Sequence, residues 1–427
     1  MSLLSKLSRW KPAELRYPAE EPETGARART LEDLRARIQA TLDRHAIPAG
    51  RPPGERGGRP RVDTAELPFV TVETPNGPLH VRMRRLGAAH RAGRASVRAA
   101  LDASAELLAL LALDPGLARC NLRGALFLDL ETTGLSGAGT MAFLIGLAWW
   151  DETGSFVLEQ LLVRAPGEEG PMLERVRDRI RAASLLVTFN GKSFDLPLLR
   201  TRFVMARIAP PEEPPHLDLL HVARRVHKRR FRQGCRLISL ECDVLGFQRV
   251  DDVPSGEVGA WYFHFLRTGE PGALLRVVEH NAWDVVAMAA LVGLYGEPLH
   301  SGLSPEDLAG VAQALRRAGA LEHALAAAEA AVQRAPTAES LRARADVAKA
   351  RGDRARALAD FESLAAAVDD PVIRLELAKL YEHWVKAPDR ALDWVALGTG
   401  EGPESERRRT QRLVRKAQRA NQSKLKM

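Results

Sequence analysis

The stretch Ala125-Leu-Phe-Leu-Asp-Leu-Glu-Thr-Thr-Gly134 constrains this chain more than any other. Ala125 to Leu128 is an unbroken apolar run, long enough for a buried strand. Asp129 and Glu131 follow, two residues apart. A strand has period two, so both carboxylates leave one face, roughly 7 Å apart along it. Two acids on one face at the end of an apolar strand repel each other, which costs stability unless a cation lies between them. Hard divalent ions such as Mg²⁺ take this kind of oxygen ligand. Alone, the pattern also fits a strand end with two solvated acids.

Two later segments sharpen the reading. Leu185-Leu-Val-Thr-Phe189 is a second β-rich apolar run, leading into Asn190-Gly-Lys-Ser-Phe-Asp195. A helical pattern follows at Leu196, Leu198, Leu199 and Phe203, so Asp195 stands at a loop-to-helix junction, where an N-cap is its simplest role. Gly191-Lys192-Ser193 looks like the end of a P-loop, but Leu186 stands where the motif needs a glycine, which excludes an NTPase. The third segment is His280-Asn-Ala-Trp-Asp284, inside a long apolar-periodic helix. His280 and Asp284 are four apart and share one helix face.

Together these segments resemble the DEDD exonuclease family of the ribonuclease H-like superfamily. The closer resemblance is to its YprB-like branch, in four motifs found here in order: Leu-Phe-Leu-Asp-x-Glu-Thr-Thr-Gly-Leu, Thr-Phe-Asn-Gly-Lys-Ser-Phe-Asp, His-Leu-Asp-Leu-Leu and Glu-His-Asn-x-x-Asp-Val. The match covers roughly residues 66–295. It implies a metal-dependent nuclease, a 3′→5′ exonuclease hydrolysing phosphodiester bonds of DNA or RNA. Asp129, Glu131, Asp195 and Asp284 would hold two Mg²⁺ or Mn²⁺ ions. In one DEDD subgroup a His precedes the last Asp by five positions, and in the other a Tyr precedes it by four. Here His280 occupies the four-residue position, which leaves open whether it is the general base. The rival reading is a non-catalytic nucleic-acid-binding adaptor that recruits a protein partner through its C-terminal repeats.

The rest of the chain fits around this centre. Its net charge of +8 suits an anionic partner. Three scattered cysteines, Cys120, Cys235 and Cys242, read as reduced thiols of a cytoplasmic protein. No apolar stretch reaches the roughly 18 residues of a membrane span, so no membrane partner is expected. Residues 1–65 read as an N-terminal helical and linker region, partly disordered. Residues 66–300 read as the nuclease domain with a preceding hairpin turned by Pro75-Asn76-Gly77. Strands are expected at Ala125–Leu130, Ala142–Trp150, Phe156–Val163 and Leu185–Phe189. Helices are expected at about Glu169–Ala183 and Asp195–Ala206. That alternation predicts an α/β fold, a ribonuclease H-like mixed sheet flanked by helices.

Nucleic acid, with a single-stranded end, is the expected substrate. Candidates for its contacts are Thr132, Thr133, Asn190, Lys192 and Ser193 near the acids, and Arg229, Arg230, Arg232 and Arg236 in a basic run between the second and third acid motifs. Phe231 in that run is a candidate to stack on a base, and Asp218 reads as a structural acid. From 301 to 400 the chain becomes an all-α repeat. Gly319…Ala324-Leu325 recurs as Gly352…Ala357-Leu358, which resembles tetratricopeptide repeats. Residues 401–427 form a basic tail, either a nonspecific nucleic-acid holder or a solubilising end.

Overall fold

The computed structural model describes residues 67–424 except 88, 135–138, 166 and 232–233. The N-terminal region expected over 1–65 lies outside the described residues, as does Arg232.

Nine strands follow in chain order: β1 (Val70–Thr74), β2 (Gly77–Leu86), β3 (Arg91–Ala92), β4 (Ala95–Ser96), β5 (Ala125–Thr132), β6 (Ala142–Trp150), β7 (Phe156–Leu162), β8 (Leu185–Thr188) and β9 (His216–Asp218). Seven of them form one mixed sheet, in the order β1-β2-β7-β6-β5-β8-β9, and β3 pairs with β4 apart from it. The β1–β7 side is antiparallel, while β8 and β9 run parallel to β5. β5, the strand with the two acids, is therefore central. The expected hairpin is present, but β2 also pairs with β7, so the hairpin extends the sheet rather than standing before it. β9, three residues long, was too short to give a periodic signal.

The sheet is covered on both faces. On one, Leu126, Leu128 and Leu130 meet Met172, Leu173, Val176 and Ile180 of the helix Glu169–Ala182, and Leu196, Leu199 and Phe203 of the helix Asp195–Met205. On the other, Phe127 and Ala148 lie under the 25-residue helix Gly272–Gly296. By length and composition its segment Leu274–Gly296 passes as a membrane span, against the sequence expectation. Most of it is buried inside the fold, so its apolarity serves the core.

Helix pairs follow, with first helices opening at Pro305, Ala338 and Pro371, 33 residues apart. Gly319 and Gly352, the recurring glycines, fall between the two helices of the first and second pairs. The first pair shares a core with the sheet: Leu308, Val311 and Leu315 belong to the same buried cluster as Leu220 and Tyr295. At Gly310 an added Cβ would stand 1.8 Å from the Val226 carbonyl oxygen, so only glycine lets the helices Pro305–Arg317 and Leu219–Val226 touch backbone to backbone.

Beside that contact is a buried polar joint. One ring nitrogen of His227 lies 2.7 Å from Asp307 and the other 3.0 Å from the Tyr295 hydroxyl. Arg230 pairs with the second oxygen of Asp307 at 3.1 Å and donates to Ser304 Oγ and the Asp243 carbonyl. Arg230, a candidate for phosphate contact, has these internal partners while it stays exposed to solvent. Phe231, expected to stack on a base, packs edge-on against His227 at the core. The basic tail is helical over its described residues from Pro403 on. Residues Pro403–Lys424 are one helix, seated by Leu413 and Ala417 and by Arg409, Arg412 and Lys416 on the buried carboxylate of Glu382.

Candidate active site

Asp129 and Glu131 leave β5 on the face covered by the long helix. Asp129 pairs across the sheet with Gly146 of β6, Gly146 with Gln160 of β7, and Gln160 with Arg82 of β2. A polar chain runs along this row. Arg82 Nη1 donates to Gln160 Oε1 at 3.1 Å, Gln160 Nε2 to Asn281 Oδ1 at 2.9 Å, and Asn281 Nδ2 to Asp129 Oδ2 at 2.8 Å. Each amide is oriented by the one before it, so Asn281 is bound to present its NH₂ to Asp129. The long helix can dip here because residue 146 is glycine: a Cβ would meet Asn281 Oδ1 at 2.3 Å.

Asp195 opens its helix at the end of the 190–194 loop. That loop is tied by Asp218, which accepts from the backbone N–H groups of Asn190 (2.8 Å), Lys192 (3.1 Å) and Leu220 (3.1 Å). Asn190 sits at φ +71°, a left-handed conformation Asn tolerates. Asp218 is thus structural, as its sequence position suggested. Asp284 and His280 descend from the long helix. His280 Nε2 lies 3.5 Å from Asp284 Oδ2 and 4.0 Å from Glu131 Oε1. Its Nδ1 lies 2.5 Å from Asp252 Oδ1. Arg249 Nη1 lies 3.0 Å from the same Nδ1, so the ring is held at Nδ1 and its Nε2 faces the acids.

The four carboxyls act on one another electrostatically. Burial, then the charges of Asp284 and Asp195, hold the Asp129 carboxyl well above the usual carboxylate range, against the hydrogen bond from Asn281. Burial, then Asp129, Asp284 and Asp195, do the same to Glu131. Burial, with the charges of Asp218 and Asp284, pushes Asp195 up to about 7, although backbone N–H groups oppose the shift.

Sequence reasoning missed a cation among them. Arg249, almost fully buried, donates to both oxygens of Glu241 at 2.6 and 2.7 Å, pairs with Asp252 at 3.4 Å, and donates to Asp284. Burial would lower its proton affinity, but Asp284 and Glu241 outweigh it. For Glu241 burial wins and raises the carboxyl, because it has one guanidinium while the guanidinium has three carboxylates. Asn281 lies inside a motif already singled out; Arg249, Glu241 and Asp252 lie in a segment with no recurring pattern.

Two of the acids, Glu131 and Asp284, together with His280 fit a divalent cation. Glu131 Oε1 is buried with no hydrogen-bond partner, and ligand atoms of Glu131, His280 and Asp284 lie within 4.8 Å of one another. A buried carboxylate oxygen without a partner is costly unless something binds it.

The cluster has a pH signature. The folded Asp195 keeps its proton up to about 7, whereas the unfolded chain releases it near 3.8. Between those values the fold holds more protons, so its stability falls as pH rises. In EDTA, the melting midpoint should decline from about pH 4 to about pH 7, less steeply in Asp195→Asn. Equal slopes would remove Asp195 as the source.

The other expected contacts are scattered more widely. Thr132 Oγ1 donates to the Gly134 carbonyl, and Thr133 Oγ1 accepts from the Met141 N–H, so both hydroxyls shape the end of β5. Lys192 and Ser193 are exposed on the Asp195 loop. Arg229 pairs with Glu339 of the helical region at 3.2 Å. Arg236 is exposed, with no ion pair among the described residues.

Comparison with known proteins bears on the same segment. Residues 126–295 match the family model described as RNase_H superfamily. The protein is similar to Uncharacterized protein YprB of Bacillus subtilis (strain 168), with 38% identity over 174 residues. The match covers 40% of this chain and 41% of that relative, so the chain spans about two fifths of the relative's length. With its central acid-bearing strand, mixed sheet and covering helices, the segment 126–295 is a domain of the ribonuclease H superfamily.

Proposed function

We propose that this protein is a metal-dependent nuclease, acting as a 3′→5′ exonuclease on DNA or RNA. The observation that supports the reading is the mutual repulsion of Asp129, Glu131, Asp195 and Asp284, of which Glu131 is buried with an Oε1 that has no hydrogen-bond partner. These four would hold two Mg²⁺ or Mn²⁺ ions. When bound, such ions neutralise the phosphate and lower the proton affinity of water. The chain's own groups do the rest. Asn281 and the row behind it fix Asp129. Asp252 and Arg249 hold His280 at Nδ1, and its Nε2, facing the acids, would take a proton from the attacking water. Lys192 and Ser193, exposed on the Asp195 loop, would contact a phosphate of the strand.

The test is a time course on end-labelled single-stranded DNA and RNA oligonucleotides with Mg²⁺ or Mn²⁺, and with EDTA as control. A metal-dependent ladder shortening from the 3′ end is the expected result. One observation favours a second reading, a nucleic-acid-binding adaptor: Arg249 already supplies a cation to Asp284. Binding of the oligonucleotides without cleavage in either metal would decide for the adaptor.

A further inference from the structure

The groove between the ribonuclease H-superfamily domain and the first helix pairs has a volume of about 600 Å³ and takes its walls from both. Six cations line it; Arg229 and Arg342 are paired, with Glu339 and Asp370, and the other four, among the described residues, are not. Arg225 and Lys228 come from the end of the helix Leu219–Val226 and the turn after it; Arg316 and Arg317 come from the last turn of Pro305–Arg317. None of the four has a carboxylate within ion-pair distance among the described residues. Arg225 donates to the Leu111 carbonyl (3.2 Å), Arg317 to the Gln313 carbonyl (3.2 Å) and Arg316 to the Gln313 side chain (3.0 Å), all neutral acceptors. Two acids of the lining are otherwise engaged, Glu339 by Arg229 and Asp346 by Gln313, and the third, Glu306, reaches none of the four.

The cations also oppose one another. Burial and then the charge of Arg317 lower the proton affinity of Arg225; partial burial and then Arg316 lower that of Arg317. The arrangement is held in place by the Gly310–Val226 contact and the His227–Asp307 joint, so the charges cannot move apart by separating the two walls. Like charges fixed together without a counterion mark a place where an anion binds.

The geometry points to a second nucleic-acid contact in this groove, where Arg225, Lys228, Arg316 and Arg317 grip the phosphodiester backbone of a single strand. The lining favours phosphate over an acidic protein segment. Its apolar members, Val226 and Ala309, are themselves buried, so the groove offers none of the exposed apolar anchors on which protein partners depend. Arg and Lys contacts to phosphate need no such anchor. The helix Leu219–Val226 links the two regions. It starts beside Asp218, which ties the Asp195 loop, and runs about 12 Å to the groove. The inference rests on the nucleic-acid reading of the site but not on cleavage.

It is tested in EDTA, by fluorescence anisotropy of a labelled 20-nucleotide oligo-dT or oligo-rU on the full chain across a salt series. Each phosphate contact to a single strand contributes about 0.7 to the slope of log K against log salt. Arg225→Gln/Arg317→Gln should therefore lower the slope by about 1.4 and weaken binding about ten-fold or more at 0.1 M salt. Arg407→Gln/Arg408→Gln, the same charge change on the C-terminal helix, should do neither. The groove variant should melt no lower than the parent, because it removes repelling charges. If it does melt lower, Lys228→Gln/Arg316→Gln is read in its place with the same expectation. An unchanged slope, or an equal loss in the C-terminal variant, overturns the proposal. Oligonucleotide binding equal in parent and variant, with a poly-glutamate peptide bound only by the parent, overturns it in favour of an acidic protein partner. Loss of cleavage with the groove effect intact would count against the nuclease reading alone.

Discussion

Asp129→Asn should abolish metal-dependent cleavage and, in EDTA, should raise the melting temperature. Both effects have one cause. Asp129 is desolvated and repelled by Asp284 and Asp195, so the metal-free fold bears the cost of its charge. Asparagine has nearly the same shape, its oxygen still accepts from Asn281 Nδ2, and no cavity opens. What it removes is a negative oxygen that would bind a divalent ion. Losing a preorganised group that stabilises transition-state charge costs about 10²–10³-fold in turnover, and a bound ion's ligand belongs at the upper end. Melts in EDTA and in Mn²⁺, beside the end-labelled assay, read the whole prediction. Mn²⁺ should raise the melting point of the parent well above that of the variant, since a ligand that binds only the folded state at 100 times its Kd adds about 2.7 kcal/mol. A variant that keeps full metal-dependent turnover would remove Asp129 from the site. One that melts lower in EDTA would mean the carboxylate is held by contacts rather than strained by its neighbours.

The strand with its two acids was legible because a period of two is a hard geometric rule: Asp129 and Glu131 had to share a face, and the apolar run before them had to be buried. The long helix was legible for the same kind of reason, since apolar spacing at 3.6 puts His280 and Asp284 together. The second wall of the site had no such rule. Arg249 is one of 62 lysines and arginines, and it sits outside any periodic segment, so only the folded chain shows it inside and clamped to Glu241. The basic run failed in the opposite sense. Its composition suggested solvent and phosphate, yet Phe231 packs on His227 at the core, and Arg230, though exposed, reaches Asp307 and Ser304, more than 70 residues on. Local sequence cannot name a partner at that distance. Gly310 shows the same limit: its need is set by a carbonyl on another helix.

Arg249→Ala should be among the most destabilising single changes in the chain. Its side chain is 2% exposed and Glu241 is fully buried, so the substitution leaves an uncompensated carboxylate in the interior. Breaking a buried pair from one side costs about 3–5 kcal/mol, a large share of the roughly 5–15 kcal/mol that holds a typical domain together. Arg249→Met/Glu241→Met should recover most of the loss, because it removes both charges and fills the space. Urea unfolding of the parent, both single variants and the double variant gives the coupling directly. A single-variant loss under about 1 kcal/mol, or a double variant as unstable as Arg249→Ala, would show that the pair is not what stabilises this corner. The stable double variant also isolates the arginine's second task. It keeps all four acids and the Asp252–His280 contact but no longer has the guanidinium on Asp284. If Arg249 only closes the core, cleavage and Mn²⁺ affinity should match the parent. If it orients Asp284 for the metal, Mn²⁺ affinity should fall while the melting point holds. If instead its charge competes with the metal, Mn²⁺ should bind more tightly than in the parent.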